Sequence, residues 1–225
     1  MNIYIYLNLN LKKITTLTLL LLTCIFYSQT NLYENPKFDS IAKNHKSIAI
    51  LPFKATIKLR PKQMEKMSAD QFKKLEISEG KGIQAAMYSW FLKRKKRGKL
   101  TTIEVQDPNR TTALLKKKKI SSKNIAEFTS EELAEILKVD AIISGDYKTN
   151  KPMSEGVSVA LGILVGFWGT TNSATINMSI HNANDGVLLW NYNKKVRGSI
   201  GSSSDDLINR LMRKASRRLA YTKKK

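Results

Sequence analysis

The chain has 225 residues, of which 42% are hydrophobic and 25% charged, a balance that excludes a disordered or fibrous chain and is typical of a globular domain. Lys and Arg number 39 against 18 Asp and Glu, which gives a formal net charge of +21 at pH 7. Such a charge predicts attraction to polyanions, meaning nucleic acid, anionic lipid or acidic polysaccharide.

Residues 1–28 are predicted to be a signal peptide rather than part of the fold. Lys12 and Lys13 form a short basic region, an uncharged apolar run at 14–26 follows, and Ser28 offers a small residue for cleavage. The run is shorter than the ~20 residues that a membrane-spanning helix needs, and a retained N-terminal anchor is the alternative. Cleavage after Ser28 leaves 37 basic and 18 acidic residues, a net charge of +19.

The single cysteine of the sequence, Cys24, lies inside this leader. Residues 21–24 look like a bacterial lipoprotein box, but Thr23 stands where a smaller residue is expected. A lipid anchor at Cys24 is therefore the disfavoured alternative to simple cleavage. A chain cleaved after Ser28 has no thiol and can form no disulfide.

Export also argues against nucleic acid as the polyanion and for the envelope surface.

A lead-in segment, residues 29–46, is polar and rich in turn-forming residues, and its His45 is expected to be solvated. Residues 47–53 are almost continuously apolar and end near a proline, which is typical of a strand buried on both faces. A single α/β domain is predicted to run over 47–221, with a basic tail at 222–225.

Two amphipathic helices are predicted next. In the first, within 54–77, apolar residues recur at helical spacing after a proline, at Met64, Met67, Phe72 and Leu75. A helix packed on the core is the favoured interpretation, and a methionine-rich partner surface is the alternative. In the second, Gly80 and Gly82 are expected to weaken only the first turn. Its core-facing stripe consists of Ile83, Ala86, Met87, Trp90 and Phe91.

A basic run follows the second helix and consists of Lys93, Arg94, Lys95, Lys96 and Arg97. These cations are favourably placed at the negative end of the helix dipole. Five adjacent cations can bind a polyanion, so these residues are candidate contacts for one. A solvated helix end is the simpler alternative.

Residues 100–105 are predicted to form the second strand. Asp107, which is followed by a proline, then caps a short helix that runs into four lysines. Thr129 and Glu132 have the spacing of a capping box at the start of a further helix. The third strand, residues 139–147, follows that helix directly.

The segment 156–169 departs from the pattern of a soluble domain because nearly all of it is apolar. It is too short for a typical spanning helix but long enough to dip into a membrane interface, and its small residues recur every four positions as in close helix packing. The candidate membrane or partner contacts are Ser158, Leu161, Gly162, Leu164, Val165, Gly166, Phe167 and Trp168. A buried crossover covering one face of the sheet is an equally weighted alternative.

The best-specified element is a hairpin over residues 173–197. Every second residue in its first half is apolar and alternates with a polar neighbour, which is the period of a strand with one buried face. These apolar residues are Ala174, Ile176, Met178 and Ile180. Asp185 and Gly186 suit a tight turn, and a second strand then resumes the alternation.

The last predicted element is an amphipathic helix with Ser203 as its cap and Asp206 at the third position. Its polar side adds three candidate polyanion contacts, Arg210, Arg213 and Arg217. A basic amphipathic helix can lie on an anionic membrane. A core helix with an arginine-covered outer face is the commoner case.

The sequence contains no pattern typical of catalysis or metal binding. It has no glycine-rich phosphate loop, no metal-ligand cluster, no paired carboxylates and no Ser-His-Asp spacing. No enzyme activity, cofactor, metal or small-molecule substrate is therefore predicted. His181 and Asp185 are the polar residues grouped near the hairpin turn, and we expect Asp185 to act in the turn rather than in catalysis.

The order strand, helix, strand, helix, strand, strand, strand, helix predicts an α/β (α+β) sandwich with a mixed sheet of about five strands. Residues 47–53, the helix leading into 139–147, and residues 176–190 resemble the curli-secretion (CsgG-type) lipoproteins and the related penicillin-binding-protein activator and TolB N-terminal-like domains. The resemblance implies a Gram-negative envelope protein that works by binding or assembly. A channel is not implied, because the long amphipathic strand hairpins of a barrel are missing from the sequence.

The predicted function is that of an exported, non-enzymatic binding or assembly module at the periplasmic side of the outer membrane. Its predicted partner is an envelope protein or the membrane surface, and a homo-oligomer is left open. The alternative is a basic protein that binds nucleic acid or another polyanion. Nucleic acid is disfavoured as a partner because stacking aromatic residues are not interleaved with the basic runs.

Overall fold

The computed structural model describes residues 30–59, 61–65, 67–100, 103–150, 173–197, 204–218 and 221. Its strands are β1 Thr30–Glu34, β2 Ser47–Ile50, β3 Lys54–Ile57, β4 Glu104–Val105, β5 Ala141–Thr149, β6 Ser173–Asn182 and β7 Leu188–Arg197. Its α-helices are α1 Phe38–Ala42, α2 Pro61–Met64, α3 Ala69–Lys96, α4 Pro108–Lys117, α5 Ser130–Leu137 and α6 Ser204–Ser216. The short helix Ile125–Glu127 is of the 3-10 type.

The strands form one mixed, seven-stranded sheet in the order β1-β7-β6-β5-β2-β4, and β3 pairs with β5 beyond the end of β2. Strands β2 and β3 are parallel to β5, and β2 is also parallel to β4, whereas the pairs β5–β6, β6–β7 and β7–β1 are antiparallel. The predicted α/β sandwich with a mixed sheet and a C-terminal hairpin is thereby confirmed. The sheet has two strands more than predicted, because β1 and β3 were not expected.

The sheet has an apolar core on each face. The larger core lies under α3 and α6 and includes Ile83, Phe91 and Trp190, all exposed by 1% or less. The smaller core lies under α4 and α5, and Leu137 and Ile142 belong to it. The helices therefore cover the sheet on both sides, as burial of apolar strand faces requires.

The hairpin of β6 and β7 confirms the predicted alternation. Ala174, Ile176, Met178 and Ile180 are exposed by 1% or less, and the residues between them are partly exposed. Gly186 in the turn has a φ of +62°, a conformation that side chains with a Cβ rarely adopt. The turn prediction is therefore correct as well.

Helix α3 is one continuous helix where two were predicted. Ser68 and Gln71 form a reciprocal capping box at its start, and the helix runs for 28 residues. Gly80 therefore lies in the middle of the helix and not in a first turn. It is buried there, and its carbonyl oxygen accepts a hydrogen bond from the Phe53 N–H at 3.2 Å. The close approach between this helix and the chain after β2 explains the glycine.

Two other segments differ from the prediction. The lead-in forms β1, which pairs with β7 over all five of its residues, and then α1. The residues that precede the first predicted helix, for which no element was predicted, form β3, whose four residues pair with residues 146–149 of β5. In both cases a neighbouring strand offers an unpaired edge, and this tertiary pairing overrides the local pattern.

The helix caps predicted at Asp107 and Thr129 are confirmed. The Asp107 carboxylate accepts from the Asn109 N–H at 2.8 Å. The Thr129 N–H donates to the Glu132 carboxylate at 2.7 Å, and the Glu132 N–H donates to the Thr129 hydroxyl at 3.3 Å. The second predicted strand is shorter than expected, because β4 contains only two residues.

Several predicted features lie outside the described residues. They are the leader at 1–28, the apolar segment at 156–169 with all eight of its candidate contacts, the Ser203 cap and the basic tail at 222–225. Within the part of the chain that the structure describes, no helix has both the length and the apolar character needed to cross a membrane.

Candidate functional site

Two basic runs that are far apart in the sequence meet in the fold. Helix α3 ends at the basic run 93–97, and α6 packs against α3 on the same face of the sheet. Burial lowers the pKa of the Arg94 guanidinium, and the nearby charges of Arg217 and Arg97 lower it further. A shift by like charges requires them to be close, so three of the predicted polyanion contacts form one cluster.

Strand β7 adds a further cation beside α6. Lys194 is 4% exposed, and its pKa is lowered by burial and then by the charges of Lys214 and Arg218. We call the combined cluster on β7 and at the C-terminal ends of α3 and α6 the basic face, which comprises Arg94, Arg97, Lys194, Lys214, Arg217 and Arg218.

Lys194 was not among the predicted contacts, although the sequence contains a signal for it. Tyr192 and Val196 point into the core from β7, and Lys194 occupies the inward position between them. A lysine on the buried side of an alternating strand is rare unless its charge has a specific environment. The hairpin pattern therefore marks this residue as exceptional.

The remaining predicted basic contacts have various surroundings. The Lys93 ammonium lies 5.0 Å from the centre of the Trp90 ring, a cation–π distance. Lys95 forms an ion pair with Glu104, and both side chains are largely exposed. Lys96 is exposed, as are Arg210 and Arg213 on α6.

A second polar feature is a cleft of about 930 Å³ lined by α1, α5 and the hairpin turn. Five carboxylates line it, those of Glu131, Glu132, Glu135, Asp140 and Asp185. The cleft is therefore acidic in a strongly basic protein. Among the described residues, no three carboxylate, His or Cys side chains are arranged to hold a metal ion.

His45 lies at this cleft and is not the solvated residue that was predicted. Its Nδ1 is 2.8 Å from the Tyr221 hydroxyl, and its Nε2 is 3.0 Å from Oδ1 of Asn182. Because an amide oxygen only accepts, Nε2 donates to Asn182, and Nδ1 shares the second hydrogen bond with the Tyr221 hydroxyl. Tyr221 also packs edge-on against Phe38 at a centroid distance of 5.4 Å. The histidine thus ties Tyr221 to the lead-in and the hairpin.

Asp185 extends this chain of hydrogen bonds into the hairpin turn. Its Oδ1 accepts from the Asn182 side-chain amide at 2.7 Å and from the Val187 N–H at 3.2 Å. These bonds give Asp185 the turn role that was predicted for it.

His181 does not share the site of Asp185. The Asn182 side chain contacts Asp185, and His181, as the preceding residue of β6, projects from the opposite face of the strand. Burial lowers the pKa of His181, and the charge of Glu131 opposes this shift. The described structure does not join His181 and Asp185 into one site.

Asp140, next to the cleft, holds two backbone groups. Its Oδ2 accepts from the N–H groups of Lys46 and Ser47, each at 2.8 Å, and from the Ser47 hydroxyl at 3.3 Å. Burial favours its protonation, but these hydrogen bonds and the nearby His45 outweigh that effect and lower the pKa of the carboxyl. The cleft residues His45, Asp140 and Asp185 are therefore engaged in holding chain segments together, and the basic face is the better candidate for contact with a partner.

No family model matches the chain, and no curated protein matches it. Solved structures with similar folds include the following three, all at low sequence identity. The lipoprotein GNA1162 of Neisseria meningitidis has a TM-score of 0.41 and 14% identity over 77% of this chain and 96% of its own. The PelC dodecamer of Paraburkholderia phytofirmans has a TM-score of 0.40 and 9% identity over 84% of this chain and 96% of its own. The LpoB C-terminal domain of Salmonella enterica has a TM-score of 0.32 and 7% identity over 72% of this chain and 93% of its own. Likeness at this level transfers neither an activity nor a partner.

Proposed function

We propose that the protein is an exported, non-enzymatic binding module of the cell envelope, located at the periplasmic side of the outer membrane. In this proposal the basic face contacts an anionic membrane surface. The observation that supports it is the basic face itself, in which cations from β7 and from the C-terminal ends of α3 and α6 lie close enough to lower one another's pKa.

Electrostatics explains why such a face favours an anionic partner. Like charges held close together raise the energy of the folded protein, and solvent screens this repulsion only in part. A layer of phosphate groups converts the same cations into favourable partners, at about 1 kcal/mol for each Lys or Arg near the surface. Arg217 and Arg218 can each bind a phosphate through two parallel N–H groups, because the guanidinium is planar.

Nucleic acid is the competing partner, since it is also a polyanion. Proteins that bind single strands combine their cations with exposed aromatic side chains on which bases stack. Near the basic face, Phe91 is buried at 1% exposure, and the Trp90 ring lies beside the Lys93 ammonium. The described aromatic residues therefore favour a lipid surface over bases.

The apolar segment at 156–169 belongs to the same proposal as a second contact that dips into the membrane interface.

Replacing Arg97 and Arg217 together with glutamine is expected to weaken binding to anionic vesicles about 30-fold, because two cations near the surface are lost. Both side chains are exposed, so the fold should be retained. The measurement is co-sedimentation of the protein with vesicles that contain phosphatidylglycerol, with purely zwitterionic vesicles for comparison.

The matched control replaces Lys116 and Lys117, which end α4 on the opposite face of the sheet, with glutamine. It removes the same charge and should change vesicle binding less than about 3-fold. An equal loss in both double variants would mean that net charge alone matters. Failure of the parent protein to bind anionic vesicles, with tight DNA binding at physiological salt, would support the nucleic-acid alternative instead.

The compartment is tested separately. An epitope-tagged chain expressed in its host is expected to fractionate with the envelope and to lack residues 1–28, because the leader has the basic and apolar regions of a signal peptide. Fractionation followed by mass spectrometry of the N-terminus measures both. A full-length product in the cytosol would contradict export.

A further inference from the structure

The open edges of the sheet differ in their capacity to pair with another strand. One edge is β4, which has two residues, and so short a strand offers little to a partner. Another is β3, which among the described strands pairs with β5, has four residues and begins with a lysine. The longest edge is β1, which has five residues and pairs with β7 on its inner side. Within the described ranges no strand pairs with the outer side of β1.

The outward backbone groups of β1 follow from its hydrogen bonds. The Asn35 N–H donates inward to the Leu189 carbonyl oxygen at 2.8 Å, immediately after the strand. Alternate residues of an antiparallel strand direct their backbone groups to opposite sides, so Asn31 and Tyr33 also bond inward. Three residues therefore direct their N–H and C=O groups away from the sheet, and they are Thr30, Leu32 and Glu34.

The composition of this edge also favours pairing. Natural edge strands are commonly protected by lysine, proline or a bulge. Strand β1 has the sequence TNLYE and contains no Lys, Arg or Pro, although 39 of the 225 residues are basic. Leu32 and Tyr33 are 44% and 46% exposed, which is uncommon for large apolar side chains at adjacent positions.

We propose that β1 pairs antiparallel with β1 of a second copy of the chain, centred on Leu32. In this register the two Leu32 residues face each other and exchange both of their outward hydrogen bonds. Glu34 of one copy lies opposite Thr30 of the other, so no like charges meet across the pair. The exposed Leu32 side chains then cover one another on the face of the sheet that carries the larger core, since Leu32 is paired with the core residue Tyr192.

The arrangement has a consequence that rests on the proposed function. A two-fold axis between antiparallel strands runs perpendicular to the sheet, so each face of one copy continues as the same face of the other. Helices α3 and α6 of both copies then lie on one side of the dimer, and the two basic faces can contact one surface together. Such bivalent contact strengthens binding without new interactions.

The proposal is tested by sedimentation of the full chain, as its host processes it, in the absence of lipid. We expect a concentration-dependent dimer, and we expect Leu32→Lys to weaken its association at least about 10-fold. The matched control is Leu92→Lys on α3, because Leu92 is also 44% exposed. It should leave the association constant unchanged. A monomer at every concentration, or equal association of the two variants, would overturn the proposal whether or not the protein binds vesicles.

A disulfide test does not depend on the stability of the lysine variant. Hydrogen-bonded antiparallel partners have Cα atoms about 5.5 Å apart, which lies within the range that a disulfide can bridge. Leu32→Cys should therefore form a covalent dimer on mild oxidation. Tyr33→Cys should not, because the register separates its two copies by two residues, or about 8 Å. The parent chain shows any background from Cys24, and equal cross-linking of both variants would contradict the register.

Discussion

Replacing Gly80 with alanine is expected to lower the free energy of unfolding by about 3 kcal/mol. A Cβ at this position would overlap the carbonyl oxygen of Phe53, which is a backbone atom and cannot rotate away. The helix must then move off the chain that follows β2, and the bond from the Phe53 N–H to the Gly80 carbonyl oxygen is lost with it. Gln84, one turn further along, donates to the Ile50 carbonyl oxygen at 2.6 Å and would also be displaced.

The sign of this effect distinguishes close backbone packing from helix propensity. In an unconstrained helix, alanine is more favourable than glycine by about 1 kcal/mol. Gly82 supplies the control, because it lies about 200° around the helix from Gly80 and is partly exposed. Gly82→Ala should leave the protein as stable as the parent or stabilise it slightly. Urea unfolding monitored by circular dichroism measures both variants, and a stabilised Gly80→Ala protein would contradict the close approach.

The elements that could be predicted from the sequence depend on neighbours in the chain. The hairpin follows from strict alternation and from a turn whose glycine requires a positive φ. The caps at Asp107 and Thr129 follow from residues two or three positions apart. In each case the interacting residues are close in the sequence, so the pattern contains the information.

The missed strands depend on partners far along the chain. Thr30–Glu34 is a strand because β7 offers an edge about 160 residues later, and Lys54–Ile57 is one because β5 extends past β2. Neither segment is long or regular enough to indicate a strand by itself. Gly80 is a further wrong prediction, since the sequence places it in the weak first turn of a helix. Its low propensity is visible in the sequence, but the carbonyl group that requires a glycine there is not.

The candidate site shows the same division. The basic runs at 93–97 and 210–218 are evident from composition, but their proximity depends on how α3 and α6 pack. His45 meets Tyr221 across 176 positions of sequence, and no spacing rule reaches so far. A residue such as His45 is therefore assigned to solvent by default, and only the fold shows its partners.

Replacing Asp140 with alanine is expected to lower the free energy of unfolding at pH 7 by about 2–3 kcal/mol. The carboxylate accepts hydrogen bonds from the N–H groups of Lys46 and Ser47, and a bond to a charged acceptor contributes about 1.5–3 kcal/mol net, less where solvent reaches it as it does here. Alanine leaves both donors without this acceptor where the lead-in enters β2. Chemical denaturation of parent and variant measures the difference. Ser47→Ala is the control, because it removes only the weaker hydroxyl bond at 3.3 Å and should cost less than about 1 kcal/mol.

The same carboxylate makes the difference depend on pH in a defined direction. Its pKa in the folded protein lies below the unfolded value of 3.8, because the hydrogen bonds from Lys46 and Ser47 and the charge of His45 together outweigh the larger single effect of burial. A carboxyl with a lowered pKa stabilises the fold fully above its unfolded pKa, and this contribution is lost as the pH falls through the folded value. The stability gap between the parent and Asp140→Ala should therefore be constant from pH 7 to about pH 5 and should narrow below pH 3.8. Denaturation series at pH 7, 5 and 3 measure it, and a gap that stays constant to pH 3 would show that the charge of Asp140 does not hold the lead-in to the sheet.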